Sequence, residues 1–345
     1  MQNEIVLSIC ITSFNRAQLL DRNLKKMLSY KGNDVEFIIS DNCSSDDTKD
    51  RIRKIEDSRV RFYSNSKNVG FTKNSIIARM KARGQYIMPL NDRDFVNPKY
   101  LDDFISFIKR TKMDFYLLAG RYLNNIYYIP IKQELTYRQK IYGMFINNHP
   151  GLIILNRNRV QAYYNINYLA MDDRKLAAYG TKILFDFAQI GKGMVYEKRN
   201  MVIQPNFVER LKVGQNRKEV FNNKNLAFFL PEVEIDKLKM RFTVLKKMGK
   251  TTKKQVLIEE VYRESLVMVT MVHYDNRKDL FRGERYKYDD NENVNWLFVH
   301  VKYLLWTIEY LKKKGLLTYK LLLALLQITT LNYVKFIKYR MCELE

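Results

Sequence analysis

The chain has 345 residues, of which 46% are hydrophobic, so it can form one large domain and a smaller one and is not a disordered chain. Its formal net charge of +23 indicates anionic partners such as nucleotides, lipid phosphates or an acidic membrane face. Basic residues occur in both halves of the sequence, without zinc-finger spacing or an RNA-binding aromatic motif, which argues against a nucleic-acid partner.

The first 120 residues alternate between strand and helix patterns. Continuous apolar runs predict strands that are buried on both faces, and segments with apolar residues at helical spacing follow them. The predicted strands are Ile5–Ile11, Val35–Ser40, Val60–Ser64, Tyr86–Leu90 and Phe115–Ala119. The predicted helices are Ala17–Leu28, Ser44–Ile55, Thr72–Ala82 and Pro98–Lys109. This alternation predicts a parallel, doubly wound α/β sheet, which binds its ligands beyond the carboxyl ends of the strands.

The middle of the chain, residues 121–206, mixes both patterns. Gly151–Leu155 is predicted to be a strand, Val195 and Val202–Ile203 short edge strands, and Thr181–Ile190 a helix. Beyond residue 207 the pattern is helical. The predicted helices there are Val233–Met248, Lys254–His273, Val294–Lys314 and Leu316–Arg340.

Polar residues follow the first two predicted strands. The segment after the first strand can meet a nucleotide with backbone N–H groups and a helix N-terminus, although an ordinary strand–helix turn has the same features. It reads Thr12-Ser13-Phe14-Asn15-Arg16. Asp41 ends the second strand, where its carboxylate can accept hydrogen bonds from a base or a ribose. Helix capping would explain Ser44–Asp47 but explains Asp41 poorly.

The third and fourth strands are also followed by candidate binding segments. Gly70 permits a tight backbone path, and Asn68 and Asn74 can hold that turn or the nucleotide. Lys73 can reach a diphosphate or be a solvated helix charge. The fourth segment is Asn91-Asp92-Arg93-Asp94, whose two carboxylates at a strand end can bind a divalent cation together with diphosphate oxygens.

These four segments, in this order and spacing, resemble glycosyltransferase family 2. The segment Ser8-Ile9-Cys10-Ile11-Thr12-Ser13-Phe14-Asn15-Arg16 is similar to the family's S-I-x-I-P-T-Y-N-R. Asp41–Thr48 matches D-N-x-S-x-D-x-T, and Asn68–Asn74 matches N-x-G-x-x-x-N. Asp92 and Asp94 match the metal motif, in which Arg93 departs from the acidic residue often found there. The resemblance covers about residues 5–110 strongly and 145–205 faintly.

The resemblance implies a GT-A fold and an inverting transfer from a nucleotide-diphosphate sugar, usually a UDP-sugar, with Mn²⁺ or Mg²⁺ as cofactor. Residues 1–206 would form the transferase domain, with a nucleotide-sugar half at about 1–120 and an acceptor half at about 121–206. Residues 207–345 would form a helical domain. Asp41 would recognise the base, Asp92 would lie against the ribose and the metal, and Asp94 would ligate the metal.

The resemblance also implies an Asp as catalytic base, often in an acidic pair downstream of a strand that here matches His149-Pro150-Gly151-Leu152-Ile153-Ile154. The nearest acidic pair is Asp172 and Asp173, and Asp173 is our candidate base. The pair can also cap the following helix, and Asp186 is a third candidate. His149 is a candidate contact for the acceptor or a phosphate, and equally a structural loop residue.

The last predicted helix has a basic stripe on an otherwise apolar surface. Lys313, Lys320, Lys335 and Lys338 fall within about 60° of one another on a helical wheel. Such a helix suits an anionic membrane surface, and packing on the transferase domain or in a homodimer is the alternative. We therefore expect a cytoplasmic enzyme, peripheral on the inner face of the membrane, that acts on a polyprenyl-phosphate-linked or polymeric glycan acceptor.

The cysteines and the chain start agree with a cytoplasmic location. Cys10, Cys43 and Cys342 are widely spaced, which predicts reduced thiols instead of a disulfide framework. The first residues lack a basic start and a cleavage site, so no signal peptide is expected. Lys320 interrupts the longest apolar segment, so a membrane-spanning helix is not expected either.

Three other functions share parts of this pattern. A sugar nucleotidyltransferase would need a glycine-rich basic loop after the first strand, and Thr12–Arg16 contains no glycine. A non-catalytic scaffold, built on a degenerate transferase domain at a membrane, agrees with Arg93 and with the poorly defined base. A basic nucleic-acid binder would require strongly salt-dependent binding.

Overall fold

The structure is a computed structural model that describes residues 4–118, 151–164 and 190–196 continuously. The further described positions are 134–136, 140, 170, 176, 183, 184, 187, 198, 200–203, 287, 288, 292, 293, 304, 305, 308, 309, 312, 313, 315, 317, 319, 322, 323, 326 and 330. The chain divides into two compact units, Met1–Asn216 and Arg217–Glu345. The domain boundary after residue 206 stays a prediction.

The strands of the first unit form a seven-stranded sheet and a separate pair. They are β1 (Leu7–Ser13), β2 (Val35–Asp41), β3 (Val60–Ser64), β4 (Tyr86–Asn91), β5 (Phe95–Val96), β6 (Phe115–Leu118), β7 (Ile153–Asn156), β8 (Gly193–Tyr196) and β9 (Val202–Ile203). The large sheet has the order β3-β2-β1-β4-β7-β6-β8, and β5 pairs with β9. In the second unit, β10 (Lys287–Tyr288) pairs with β11 (Glu292–Asn293).

The sheet is mostly parallel, as the alternation of strands and helices predicts. β1 lies between β2 and β4 and is parallel to both, and β3 is parallel to β2. The carboxyl ends of the first four strands therefore meet at one edge. In the other half β7 is antiparallel to both of its neighbours, while β6 and β8 are parallel. The sequence did not predict this reversal, because apolar periodicity does not report strand direction.

Five α-helices are described, and a 3-10 turn at Pro98–Tyr100 precedes the fourth. They are α1 (Ala17–Met27), α2 (Thr48–Arg53), α3 (Phe71–Met80), α4 (Leu101–Thr111) and α5 (Arg157–Gln161). The helix predicted over Ser44–Ile55 begins only at Thr48. The reason is that Ser44 and Asp46 accept hydrogen bonds from the backbone N–H groups of Asn15 and Ala17, in the loop after β1.

A buried network of charged and polar groups lies at the amino ends of the parallel strands, opposite the edge where their carboxyl ends meet. The Ser8 hydroxyl donates to Glu36 Oε1 over 2.6 Å, and the Arg61 guanidinium donates to Glu36 Oε2 over 2.9 Å. The backbone N–H groups of Arg83 and Gly84 donate to Glu36 Oε1 and to the Ser8 hydroxyl. Ser8 and Ser13 are five positions apart on extended β1, which is about 17 Å along the strand. The network is therefore a structural feature remote from the carboxyl-end loops.

Among the described residues, no helix combines the length and the apolar character that crossing a bilayer requires.

Ile183, Leu184, Phe187 and Ile190 are helical, in agreement with the predicted helix Thr181–Ile190.

Candidate active site

The predicted binding segments lie side by side at the carboxyl edge of the parallel strands. Strand register places Ser13 opposite Asp41, Asp41 opposite Ser64, and Thr12 opposite Asn91. Adjacent strands are about 4.8 Å apart, so the loops that follow them form one continuous rim. The chain thus brings together the four segments that sequence spacing singled out.

The first two loops are locked together by hydrogen bonds. Asn15, which has a left-handed backbone with φ of 51°, accepts from the Ser45 N–H over 2.8 Å. Its own N–H donates to the Ser44 hydroxyl over 2.8 Å. Asp46 accepts from the Ala17 N–H over 2.9 Å, at the start of α1. Asn15 therefore fixes the shape of the rim, whereas Phe14 is exposed to solvent beside it.

Asp41 is buried at the end of β2 and surrounded by neutral donors. Its Oδ1 accepts from the Ser44 hydroxyl. Its Oδ2 accepts from the Ser44 N–H over 3.1 Å and from the Ser64 hydroxyl over 2.9 Å. These contacts orient the carboxylate at the rim, and no ion pair to Asp41 is found among the described residues. A carboxylate held in this way can accept a further hydrogen bond from a nucleobase or a ribose.

A cluster of amides joins the ends of β2 and β3 to the start of α3. Asn42 donates to Asn68 Oδ1 over 2.8 Å, and Asn65 donates to Asn74 Oδ1 over 2.9 Å. Asn74 in turn donates to the backbone carbonyl of Ser40 over 2.9 Å. Asn68 and Asn74 therefore hold the backbone of this rim. Asn65 completes the cluster and was missed by sequence reasoning, because a lone Asn after a strand is an ordinary turn signal.

Gly70 ends the third loop with a backbone that only glycine adopts readily. Its φ is 89° and its ψ is 161°, a region in which any Cβ is strained. The Gly70 N–H donates to Asn68 Oδ1 over 3.0 Å. Lys73 follows in the first turn of α3 and is partly exposed. The tight backbone path predicted at Gly70 is thus present.

Asp92 is the most enclosed carboxylate of the rim. Its side chain is 0% exposed and pairs with the Arg16 guanidinium, which is 24% exposed, over 3.0 Å. The Ser13 hydroxyl donates to Asp92 Oδ2 over 3.0 Å, and the Asp92 N–H donates to the Thr12 carbonyl over 3.2 Å. The segment Thr12–Arg16 therefore holds Asp92 through three of its residues. This ion pair was not predicted from the sequence, since the partners are 76 positions apart.

Asp94 is buried two residues later in the same loop. Its Oδ2 accepts from the Asn91 amide over 3.2 Å, and its N–H donates to the Asn91 carbonyl over 3.1 Å.

The described part of the chain contains no group of three or more His, Cys, Asp or Glu side chains that could hold a metal. Asp92 and Asp94 alone still fit Mg²⁺ or Mn²⁺, which take one or two carboxylates and complete their shell with substrate phosphates and water. Asp94 is our candidate metal ligand, as its place in the motif predicts.

The acceptor side of the predicted site lies outside the described residues. Asp172 and Asp173, Asp186 and His149 all fall there. The roles suggested for them from the sequence stay predictions.

Comparison with known proteins agrees with this arrangement. The model of a family described as "Glycosyl transferase family 2" matches residues 8–180, half of the chain. The Escherichia coli UDP-Glc:alpha-D-GlcNAc-diphosphoundecaprenol beta-1,3-glucosyltransferase WfaP is 26% identical over 179 residues, which cover 50% of this chain and 68% of that protein. The Campylobacter jejuni GalNAc(5)-diNAcBac-PP-undecaprenol beta-1,3-glucosyltransferase is 32% identical over 91 residues, 26% of this chain and 29% of that protein.

The matches to curated relatives are partial, spanning between 27% and 68% of each relative's length and less than half of most. Among solved structures, residues 1–349 of S. aureus TarS match with a TM-score of 0.53 and 15% identity, covering 98% of this chain and 92% of that one. The same protein in complex with UDP-GlcNAc matches with a TM-score of 0.50, 15% identity and the same coverage of both chains. At this identity the likeness is one of fold.

Proposed function

Because the chain belongs to glycosyl transferase family 2 and has the GT-A fold predicted from its sequence, we propose that it is an inverting glycosyltransferase with a UDP-sugar donor. The observation that carries this proposal is the placement of Asp41, Asp92 and Asp94 on one rim of the sheet. A donor with a base at one end and a diphosphate at the other requires polar groups at two separated points of one surface.

The rim offers two ends to such a donor. In the strand order, β1 separates β2 from β4, so Asp41 and the Asp92 loop stand about two strand spacings, or roughly 10 Å, apart. Asp41 would accept from the base and Phe14 would provide an apolar surface beside it. Arg16 and Lys73 would supply positive charge toward the diphosphate, and the UDP-GlcNAc complex of TarS supports a uridine donor on this fold.

The chemistry requires a leaving diphosphate to be stabilised and an acceptor hydroxyl to lose its proton. Mn²⁺ or Mg²⁺, held by Asp94 with Asp92 beside it, would neutralise charge that develops on the diphosphate. The acceptor oxygen would attack the anomeric carbon from the face opposite the diphosphate, which inverts its configuration. One carboxylate suffices as base, and Asp173, with Asp172 as its neighbour, is our candidate.

A lipid-linked or polymeric glycan is the proposed acceptor, in cell-surface polysaccharide synthesis. Two relatives are named for transfer to undecaprenol-diphosphate-linked sugars, which supports a polyprenyl-linked substrate here. The terminal segment carries a basic stripe on an otherwise apolar surface. This stripe and the net charge of +23 favour a peripheral position on the cytoplasmic face of an anionic membrane. Flotation with anionic liposomes tests the proposed membrane position. Full-length protein that stays in the soluble layer contradicts that position.

A donor screen tests the enzymatic proposal. UDP release is measured across several UDP-sugars, with and without Mn²⁺, for the wild type, Asp94→Ala and Asp47→Asn. We expect metal-dependent release that Asp94→Ala lowers by at least about a hundredfold, the size of effect seen when one group that stabilises developing charge is removed. Asp47 is an exposed carboxylate on the neighbouring loop, so Asp47→Asn should match the wild type.

The same screen separates the alternatives. Absence of release from every donor, with an intact fold, would support the non-catalytic scaffold. Release that survives Asp94→Ala unchanged would contradict the assigned role of the rim.

A further inference from the structure

Helix α1 carries one polar residue on its buried face. The other buried residues of the helix are apolar and recur at helical spacing: Ala17, Leu19, Leu20, Leu24 and Met27. Asn23 stands among them and is 1% exposed. Its Nδ2 donates to the backbone carbonyl of Asp92 over 3.0 Å. Its Oδ1 is buried and has no hydrogen-bond partner among the described residues.

Packing does not explain an asparagine at this position. Leucine has the same number and branching of side-chain heavy atoms, matches the neighbours on the helix and leaves no polar atom unpaired in the interior. An amide that makes one bond and leaves its oxygen unpaired is costly in a buried setting. The bond that it does make is therefore the feature that distinguishes Asn23 from an apolar residue, and that bond ends on the metal-motif loop.

Two further residues contact this loop or the strand directly after it. Arg16, directly before α1, pairs with the Asp92 carboxylate, and the Lys26 ammonium lies 4.4 Å from the centre of the Phe95 ring in β5. Asn23 and Lys26 are three positions apart, a spacing that places them on one side of the helix. Asn23 is the middle and only fully buried one of these contacts.

Helix α1 also begins in the loop that is locked to the Asp41 segment, through the bond from the Ala17 N–H to Asp46. The helix is thus a rigid link between the two ends of the rim. We propose that Asn23 is a positioning residue of the donor site, which holds the Asp92 backbone and thereby sets where Asp92 and Asp94 stand relative to Asp41. The effect of Asn23 on catalysis rests on the proposed function. The effect of Asn23 on the position of the Asp92 loop does not.

Asn23→Asp tests the proposal with almost no change in size. The new carboxylate has no N–H to donate and places a second acceptor against the Asp92 carbonyl. We expect kcat with a UDP-sugar to fall between about tenfold and a hundredfold, the range for a small misplacement of reacting groups. Because a protonated carboxyl can donate again, the activity of the variant relative to the wild type should rise as the pH is lowered.

Ser8→Ala is the matched control. It removes buried hydrogen bonds at the opposite edge of the same sheet and should lower stability without changing kcat or the relative pH profile. Asn23→Ala is the second variant, in case the carboxylate prevents folding, and it should lower kcat without a rise at low pH. Equal kcat in the wild type and both Asn23 variants, or a loss that Ser8→Ala reproduces at the same loss of stability, overturns the proposal.

Hydrogen exchange keeps this test separate from the proposed function. The Asp92 N–H is bonded to the Thr12 carbonyl, so its exchange reports whether the loop is held. We expect faster exchange at Asp92 and Asp94 in both Asn23 variants than in Ser8→Ala, even if no donor sugar is turned over. Unchanged exchange at these amides overturns the positioning role. Failure of the wild type to release UDP overturns the proposed function alone.

Discussion

At the scale of single residues, the ion pair between Arg16 and Asp92 sets the charge balance of the rim. Asp92 is fully enclosed, so its negative charge depends on a protein cation when no other cation is bound. Arg16 is partly exposed and lies directly before α1, so a ligand at the rim can reach its guanidinium from solvent. The pair therefore links the stability of the fold to the occupancy of the site.

Arg16→Met should destabilise the protein and should make its stability respond to metal. Removing one partner of a buried pair costs about 3 to 5 kcal/mol, and we expect the lower end because Arg16 is partly exposed. Mn²⁺ should restore part of the loss by taking the place of the guanidinium. The measurement is the free energy of unfolding in urea, with and without Mn²⁺.

Lys25→Met provides the matched control for that measurement. Lys25 pairs with Asp21 on the outer face of α1 and is 65% exposed, so its loss should cost less than about 1 kcal/mol and show no Mn²⁺ response. Equal losses in the two variants would contradict the charge balance described for the rim.

At the scale of elements, Arg59, directly before β3, binds the segment between α1 and β2. Its guanidinium donates to the backbone carbonyls of Tyr30 over 2.6 Å and Gly32 over 3.0 Å, and to Asp57 over 2.7 Å. The hydrogen bonds from Arg59 lower the pKa of the Asp57 carboxyl below its usual value. A carboxyl with a lowered folded-state pKa adds stability above its unfolded pKa and loses it as the pH falls through the folded value.

Asp57→Asn should therefore lower the free energy of unfolding at neutral pH but not in strong acid. A hydrogen bond to a charged group contributes about 1.5 to 3 kcal/mol, which is the loss expected at pH 7. The difference from the wild type should shrink as the pH falls below about 4, the ordinary pKa of an unfolded Asp, and should vanish below the lowered pKa of the folded protein. Denaturation curves in urea across this pH range measure it.

The exposed pair of Asp47 and Arg51 gives the comparison for Asp57. Asp47→Asn should cost no more than about 0.5 kcal/mol at any pH, because both partners are exposed on a helix surface. A constant difference between Asp57→Asn and the wild type down to pH 2 would show that the ion pair is not the cause.

Much of the structure of residues 4–118 could be predicted from the sequence, because the information for its strands and turns is local. Continuous apolar runs placed β1 to β4 within two residues, and a glycine at position 70 predicted a backbone path that the structure contains. What the sequence could not supply was contacts between distant segments. The Arg16–Asp92 pair, the Asn23 bond and the antiparallel β7 all depend on the tertiary arrangement.

At the scale of the whole molecule, the rim turns a common α/β sheet into a candidate donor site. The loops after separate strands contribute Asp41 at one end of the rim, and Asp92 and Asp94 at the other, where Arg16 pairs with Asp92. The net charge of +23 favours anionic partners. The proposed function depends on the two ends of the rim binding one ligand.

Anomalous scattering from crystals soaked with Mn²⁺ and UDP tests that dependence most directly. We predict a manganese peak bonded directly to the Asp94 carboxylate, with diphosphate oxygens on the same ion and the uracil against Asp41. UDP and manganese bound away from this rim, or UDP bound here with the metal at other ligands, would contradict the account.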